Sequence, residues 1–203
     1  MAITQQQRGY RKTMYNQLEQ GPGFTLMELM VTIAIAGILL GVAIPSFTSI
    51  ISSNRLTTYT NELVTALNLA RSEAIKRGVQ VTVRKVDAKS CTKTGTNWKD
   101  GWDVFVDING NETCDDATPS TPCATGQDCL LRTYDALPSG YTITTGNSAY
   151  KDYAAYLPSG LSNVVIGDTF ILCNGSGLGM PQRTITINST GRPSVDATPG
   201  NCP

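Results

Sequence analysis

The sequence predicts an α+β fold: a long N-terminal helix that serves as the spine of an antiparallel β-sheet head. Three observations carry this reading. Residues 24–44 are apolar except for Glu28 and two threonines. Beyond them Leu56, Tyr59, Leu63, Leu67, Ala70 and Ala74 recur at spacings of three and four, which lines one face of a helix. After Gly78 the period changes to two, with Val79, Val81 and Val83 alternating with Gln80, Thr82 and Arg84.

The first element is polar. Residues 1–22 carry Arg8, Arg11 and Lys12 against the single acid Glu19. The apolar run that follows rises about 1.5 Å per residue as a helix, long enough to cross a hydrocarbon core of about 30 Å. Basic residues ahead of a span stay cytoplasmic, so the C-terminal head is expected outside the cytoplasm. An ordinary secretory signal fits less well. The run exceeds a usual signal core, ends at Ile44-Pro45 without a small-residue cleavage site, and holds a carboxylate. Glu28 in lipid costs about 2–3 kcal/mol unless partnered or protonated, so a functional partner is expected. Cleavage between Gly23 and Phe24 would create an α-amino group one helical turn before Glu28, in the same helix or on a neighbouring copy.

Pro45 lacks an N–H and is expected to interrupt the ladder, after which the helix resumes. One helix over about 25–77 is predicted, its first half in lipid and its second half on a sheet. Lys76 and Arg77 suit its negative end, and Gly78 supplies the stop. Strands are predicted over 79–84, 102–107, 130–137, 141–145, 153–157, 169–173 and 183–188. Turn chemistry separates them at Asn109-Gly110, Pro138-Ser139-Gly140, Pro158-Ser159-Gly160 and Gly175-Ser176-Gly177.

Composition narrows the function classes. The 203 residues hold 16 basic and 16 acidic side chains, a net charge of zero, which gives no global footprint for nucleic acid. Histidine is absent from the sequence, which removes the commonest general base and zinc ligand. Six cysteines, at 91, 114, 123, 129, 173 and 202, form no C-x-x-C pair. An even count in an exported chain reads as disulfides rather than a metal site. Cys173 with Cys202 is expected to hold the tail, which has little apolar content of its own. The pairing of Cys91, Cys114, Cys123 and Cys129 stays open. No catalytic constellation, cofactor or metal site is recognised, so the chain is not expected to be an enzyme.

The string Gly23-Phe24-Thr25-Leu26-Met27-Glu28-Leu29-Met30 resembles the class III signal of type IV pilins and type II secretion pseudopilins. The resemblance implies a pilin fold. It also implies a leader over 1–23 removed by a prepilin peptidase after Gly23, and N-methylation of Phe24. Residues 24–53 would form the transmembrane helix and 54–203 a periplasmic head. Glu28 would guide subunit docking, and Pro45 sits where the helix of the family is usually bent or melted. The run 69–78, LARSEAIKRG, is similar to the helix-to-strand junction of the GspH/FimT branch, as are 102–107, 170–173 and Thr190-Gly191-Arg192. That branch holds minor pilins of the FimU and FimT type and minor pseudopilins. Its implied partners are the prepilin peptidase, other minor pilins, the major pilin and the inner-membrane assembly platform. The chain is thus expected in a bacterial inner membrane as a single-pass protein, and in a pilus filament that it helps to prime near the tip.

Three further segments carry charged or oxygen-bearing side chains in groups. Residues 107–112, DINGNE, offer oxygen ligands but depart from the EF-hand order, so a turn after a strand is the expected reading. Arg71, Lys76 and Arg77 read as a solvated helix end rather than a DNA patch. In DNA-binding FimT members a Gly-Arg-x-Arg motif grips phosphates; here Gly191-Arg192-Pro193-Ser194 keeps only Arg192, which makes DNA a weaker candidate partner.

Overall fold

The computed structural model describes residues 23–115, 126–146, 149–163, 168–175, 177–197 and 200–202. The leader residues 1–22 and Cys123 lie outside the described residues. The chain divides into two units, with the boundary between Phe47 and Thr48.

In the first unit the chain enters helix α1, which extends over Leu26–Arg77 and so continues into the second. The interruption expected at Pro45 is not found; the helix is continuous through that position. A proline removes one donor from the ladder, and the bonds of the flanking turns hold the helix across the gap. Thr25 caps the start: its Oγ1 accepts the Glu28 N–H at 3.2 Å, while the Leu29 N–H donates to the Thr25 carbonyl at 3.1 Å. This is half of a Thr-x-x-Glu capping box.

The second unit begins with the rest of α1. Its inward stripe is Leu56, Thr60, Leu63, Ala66, Leu67, Ala70 and Ala74, all buried. The Thr60 hydroxyl satisfies itself on the Leu56 carbonyl at 2.7 Å, so a polar residue sits in the stripe without an orphaned group. Gly78 stops the helix at φ +69°.

Strands β1 (Gln80–Lys85), β2 (Trp102–Asp107), β3 (Cys129–Tyr134) and β5 (Tyr153–Tyr156) form one antiparallel sheet in the order β3-β2-β1-β5. A second sheet has the order β4-β6-β8-β9, from Tyr141–Thr145, Thr169–Asn174, Gln182–Ile187 and Pro193–Asp196. β7 (Gly177–Met180) and β10 (Gly200–Cys202) make a two-stranded ribbon. The architecture is α+β and antiparallel, as the sequence implies. It differs in that the strands divide into two four-stranded sheets and a ribbon instead of one sheet. The strands at 177–180, 193–196 and 200–202 were not predicted, because short segments rich in Gly and Pro carry no alternation.

Period two decides the faces of the first sheet. Val81, Val83, Trp102, Val104, Val106, Ala154 and Tyr156 join the α1 stripe in one core with Phe170, Leu172, Ile185 and Ile187 of the second sheet. Trp98 ties the two sheets together. Its Nε1 donates to the Tyr150 and Lys151 carbonyls at 3.0 and 3.1 Å, and its ring meets Phe170 edge-on at 4.9 Å. A smaller core of Cys91, Phe105 and Cys114, with Leu130 against it, is separate from that main core. The Cys91–Cys114 disulfide staples it. All core residues lie at or beyond Leu56, so residues 48–203 hold what they need to fold as a unit.

Candidate functional site

Residues 23–44 are unlike the rest of the chain. The stretch Leu26–Ile44 is long and apolar enough to cross a membrane. Its large apolar side chains, together with Phe24, are from 47 % (Val31) to 76 % (Phe24) exposed. Glu28 is exposed within this run, in the first turn of α1, where a carboxylate suits the positive helix end. Gly23 and Phe24 precede the helix in irregular, exposed backbone, a geometry open to a peptidase. A Cβ built on Gly23 meets nothing within 4 Å, and its φ is ordinary. Folding therefore does not require glycine there. The Thr25 cap was not among the expected site residues, although Thr25-x-x-Glu28 is a legible start signal.

The basic residues at the far end of α1 are occupied by protein groups. Arg71 donates from Nε to the Gly160 carbonyl at 3.0 Å and from Nη2 to the Thr190 carbonyl at 3.4 Å. It thereby joins the loop after β5 to the loop after β8. Lys76 and Arg77 both reach Glu73, at 3.2 and 2.6 Å. The Arg77 hydrogen bond, aided by Lys76, holds the Glu73 carboxyl below its ordinary range.

Arg192 sits in a loop organised by Asn188. The Asn188 Oδ1 accepts the Thr190 N–H at 3.1 Å, the Thr190 hydroxyl at 2.7 Å and the Arg192 N–H at 2.9 Å. Gly191 has φ +77°, and a Cβ on it would overlap the Gly160 carbonyl oxygen. The glycine of the Gly-Arg pair is thus required by close packing of two loops, whereas the Arg192 side chain is exposed.

The segment 107–112 is an internally bonded turn. Asp107 is buried, and its carboxylate accepts from Thr82 Oγ1, Gln80 Nε2 and the N–H groups of Asn111 and Glu112 at 2.9–3.1 Å. Asp128 similarly accepts the Ile108 and Asp115 N–H groups at 2.9 and 3.0 Å. Arg84, also buried, holds Asp87 through two bonds of 2.9 and 2.8 Å and donates to the Glu112 carbonyl at 2.8 Å. Burial pushes the Asp87 carboxyl up, but the Arg84 bonds and the Lys89 N–H outweigh it and leave it below its ordinary value.

Cys173 and Cys202 are bonded at 2.01 Å and tie β10 to β6. Cys91 pairs with Cys114 at 1.99 Å, and Cys129 is also disulfide-bonded.

Comparison with known proteins bears on these arrangements. Residues 59–191 match the family described as type II transport protein GspH. Residues 22–44 match the prokaryotic N-terminal methylation motif. Among curated proteins no relative matches the chain. Two crystal structures of the type IV minor pilin FimU from Pseudomonas aeruginosa share the fold, with TM-scores of 0.55 and 0.52 at 16 % identity. The matches cover 73 % and 72 % of this chain and 95 % and 98 % of those chains.

Proposed function

Since the chain belongs to the GspH family of pilin-like proteins, we propose that it is a minor type IV pilin that helps to prime pilus assembly and sits at or near the pilus tip. The observation that carries the reading is an exposed Gly23-Phe24 bond directly before an exposed apolar span, Leu26–Ile44, whose one carboxylate is Glu28.

The mechanism follows from these residues. The prepilin peptidase removes residues 1–23 and methylates Phe24. The mature helix is held in the inner membrane with the head in the periplasm. Extraction costs little when the helix moves from lipid to the flanks of neighbouring pilin helices, because both surroundings are apolar. The new α-amino group of one subunit neutralises Glu28 of another and sets the register between them, which offsets the cost of a carboxylate in lipid. The head then presents loops and strand edges to minor pilins, the major pilin and the assembly platform. Its role is structural rather than catalytic.

The test is processing in the host. Gly23→Glu should leave the leader attached, and the variant should run as the longer chain and be missing from sheared filaments. Unchanged gel mobility, or normal filament entry, would count against the proposal.

The family description itself supports a second reading, a minor pseudopilin of a type II secretion system. Loss of secreted enzymes with pili intact in a deletion strain would favour it. A DNA-binding role for Arg192 has less support, because Arg71 is committed to two carbonyls and Lys76 and Arg77 share Glu73.

A further inference from the structure

The outer face of the first sheet is polar and yet buried. Val83, Trp102, Val104 and Val106 belong to the main core, so alternation turns Thr82, Arg84, Asp103, Phe105 and Asp107 the other way. All five are buried. Two loops close over them, residues 87–97 after β1 and residues 108–115 after β2. Asp87 and the Glu112 carbonyl meet Arg84, Thr92 meets Asp103, and the Asn111 and Glu112 N–H groups meet Asp107.

Little besides polar bonds holds this cover down. Its apolar side chains are Ala88, the exposed Ile108 and the two cysteines, Cys91 and Cys114, which pack on Phe105 with Leu130. If the cover lifts, water replaces its hydrogen bonds at small net cost. The Asp103 Oδ1, buried without a hydrogen-bond partner, then gains one. Each loop also holds one non-glycine residue in the left-handed region, Lys93 and Glu112, both at φ +56°. They are the two such residues among the described residues, and that strain favours opening. Against these effects stands the Cys91–Cys114 disulfide, which joins the two loops beside a bond of 2.8 Å from the Cys114 N–H to the Lys89 carbonyl.

We propose that the two loops form a redox-gated lid: the Cys91–Cys114 disulfide keeps it closed, and with both cysteines as thiols it opens while the main core stays folded. A dithiol drives the opening by giving two electrons and two protons to the sulfur pair. Two thiols are left on the head and a disulfide on the donor, and an oxidising disulfide reverses the exchange. Opening frees the Lys89 carbonyl, so the Lys89–Ser90 peptide bond becomes accessible to a protease. Protease resistance of the head is thereby conditional on oxidation. The inference does not depend on the filament role.

The test compares the native head, residues 48–203, with a Cys91→Ala/Cys114→Ala variant by hydrogen exchange and by trypsin digestion. In the variant the N–H groups at positions 92, 112 and 114 should exchange at least about a hundredfold faster, because a staple across a separation of 23 residues is lost. Those of Phe170, Ile171 and Leu172 in β6 should keep their native protection. Trypsin should cut the variant first after Lys89 or Lys93. A Cys173→Ala/Cys202→Ala variant lacks a different staple and should keep the lid protected. Unchanged exchange in the lid, protection lost equally in the lid and in β6, or a Cys91→Ala/Cys114→Ala variant that fails to fold would each overturn the proposal.

Discussion

Glu28 and Arg71 sit on the same helix and solve opposite problems. Glu28 is an exposed carboxylate in an apolar run, and in the function proposed above its partner is the α-amino group of a neighbouring copy. Arg71 is a cation whose partners, the Gly160 and Thr190 carbonyls, come from chain segments far away in sequence. The account therefore separates their phenotypes. Glu28→Gln should leave the stability of the head unchanged and prevent filament entry, read by head melting and by immunoblots of sheared pili. Arg71→Ala should lower head stability by about 1–3 kcal/mol, because two loop carbonyls lose a charged donor; urea unfolding of residues 48–203 measures it. Asp87 supplies a pH signature. Its carboxyl is held below its ordinary value of about 3.9, so its tie to Arg84 contributes stability above that value and loses it as pH falls through the folded value. Asp87→Asn should make unfolding less sensitive to acid in that window, as melts of the two proteins at falling pH would reveal.

At the scale of elements, α1 has two surfaces with two roles. The 56–74 stripe was legible from spacing alone, because amphipathic periodicity requires only local sequence. Leu63 is fully buried in it, and Leu63→Ala should cost about 2–5 kcal/mol in chemical unfolding. The same locality explains what was not legible. The helix passes Pro45 because a single missing donor does not end a ladder supported on both sides. The strands at β7, β9 and β10 exist because β8 and their own pairing hold them, not because their residues favour extension. The Cys173–Cys202 bond anchors that last ribbon across a separation of 29 residues. Replacing both cysteines with alanine should cost about 3–4 kcal/mol in the chain-entropy model and free the tail to proteolysis before the rest of the head.

At the scale of the whole molecule, the chain divides into a membrane-type helix and a head with its own cores. The membrane segment and its Gly-Phe-x-x-x-Glu start could be read directly, since a long apolar run with one acid has few physical explanations. The clasp of Arg71 on two loops could not, because Gly160 and Thr190 meet Arg71 only through the pairing of strands far apart in sequence. The alternation of 79–84 showed a strand but not its neighbours. The head resembles a minor pilin in fold, and its family membership rests on residues 59–191. What makes it a filament subunit in this account is the treatment of its first 23 residues.

The intact mass of the protein purified from its host membrane tests that most directly. The account predicts a chain that begins at Phe24 and carries one added methyl group on its amine. A mass that retains residues 1–23, or an unmodified Phe24 in assembled pili, would contradict it.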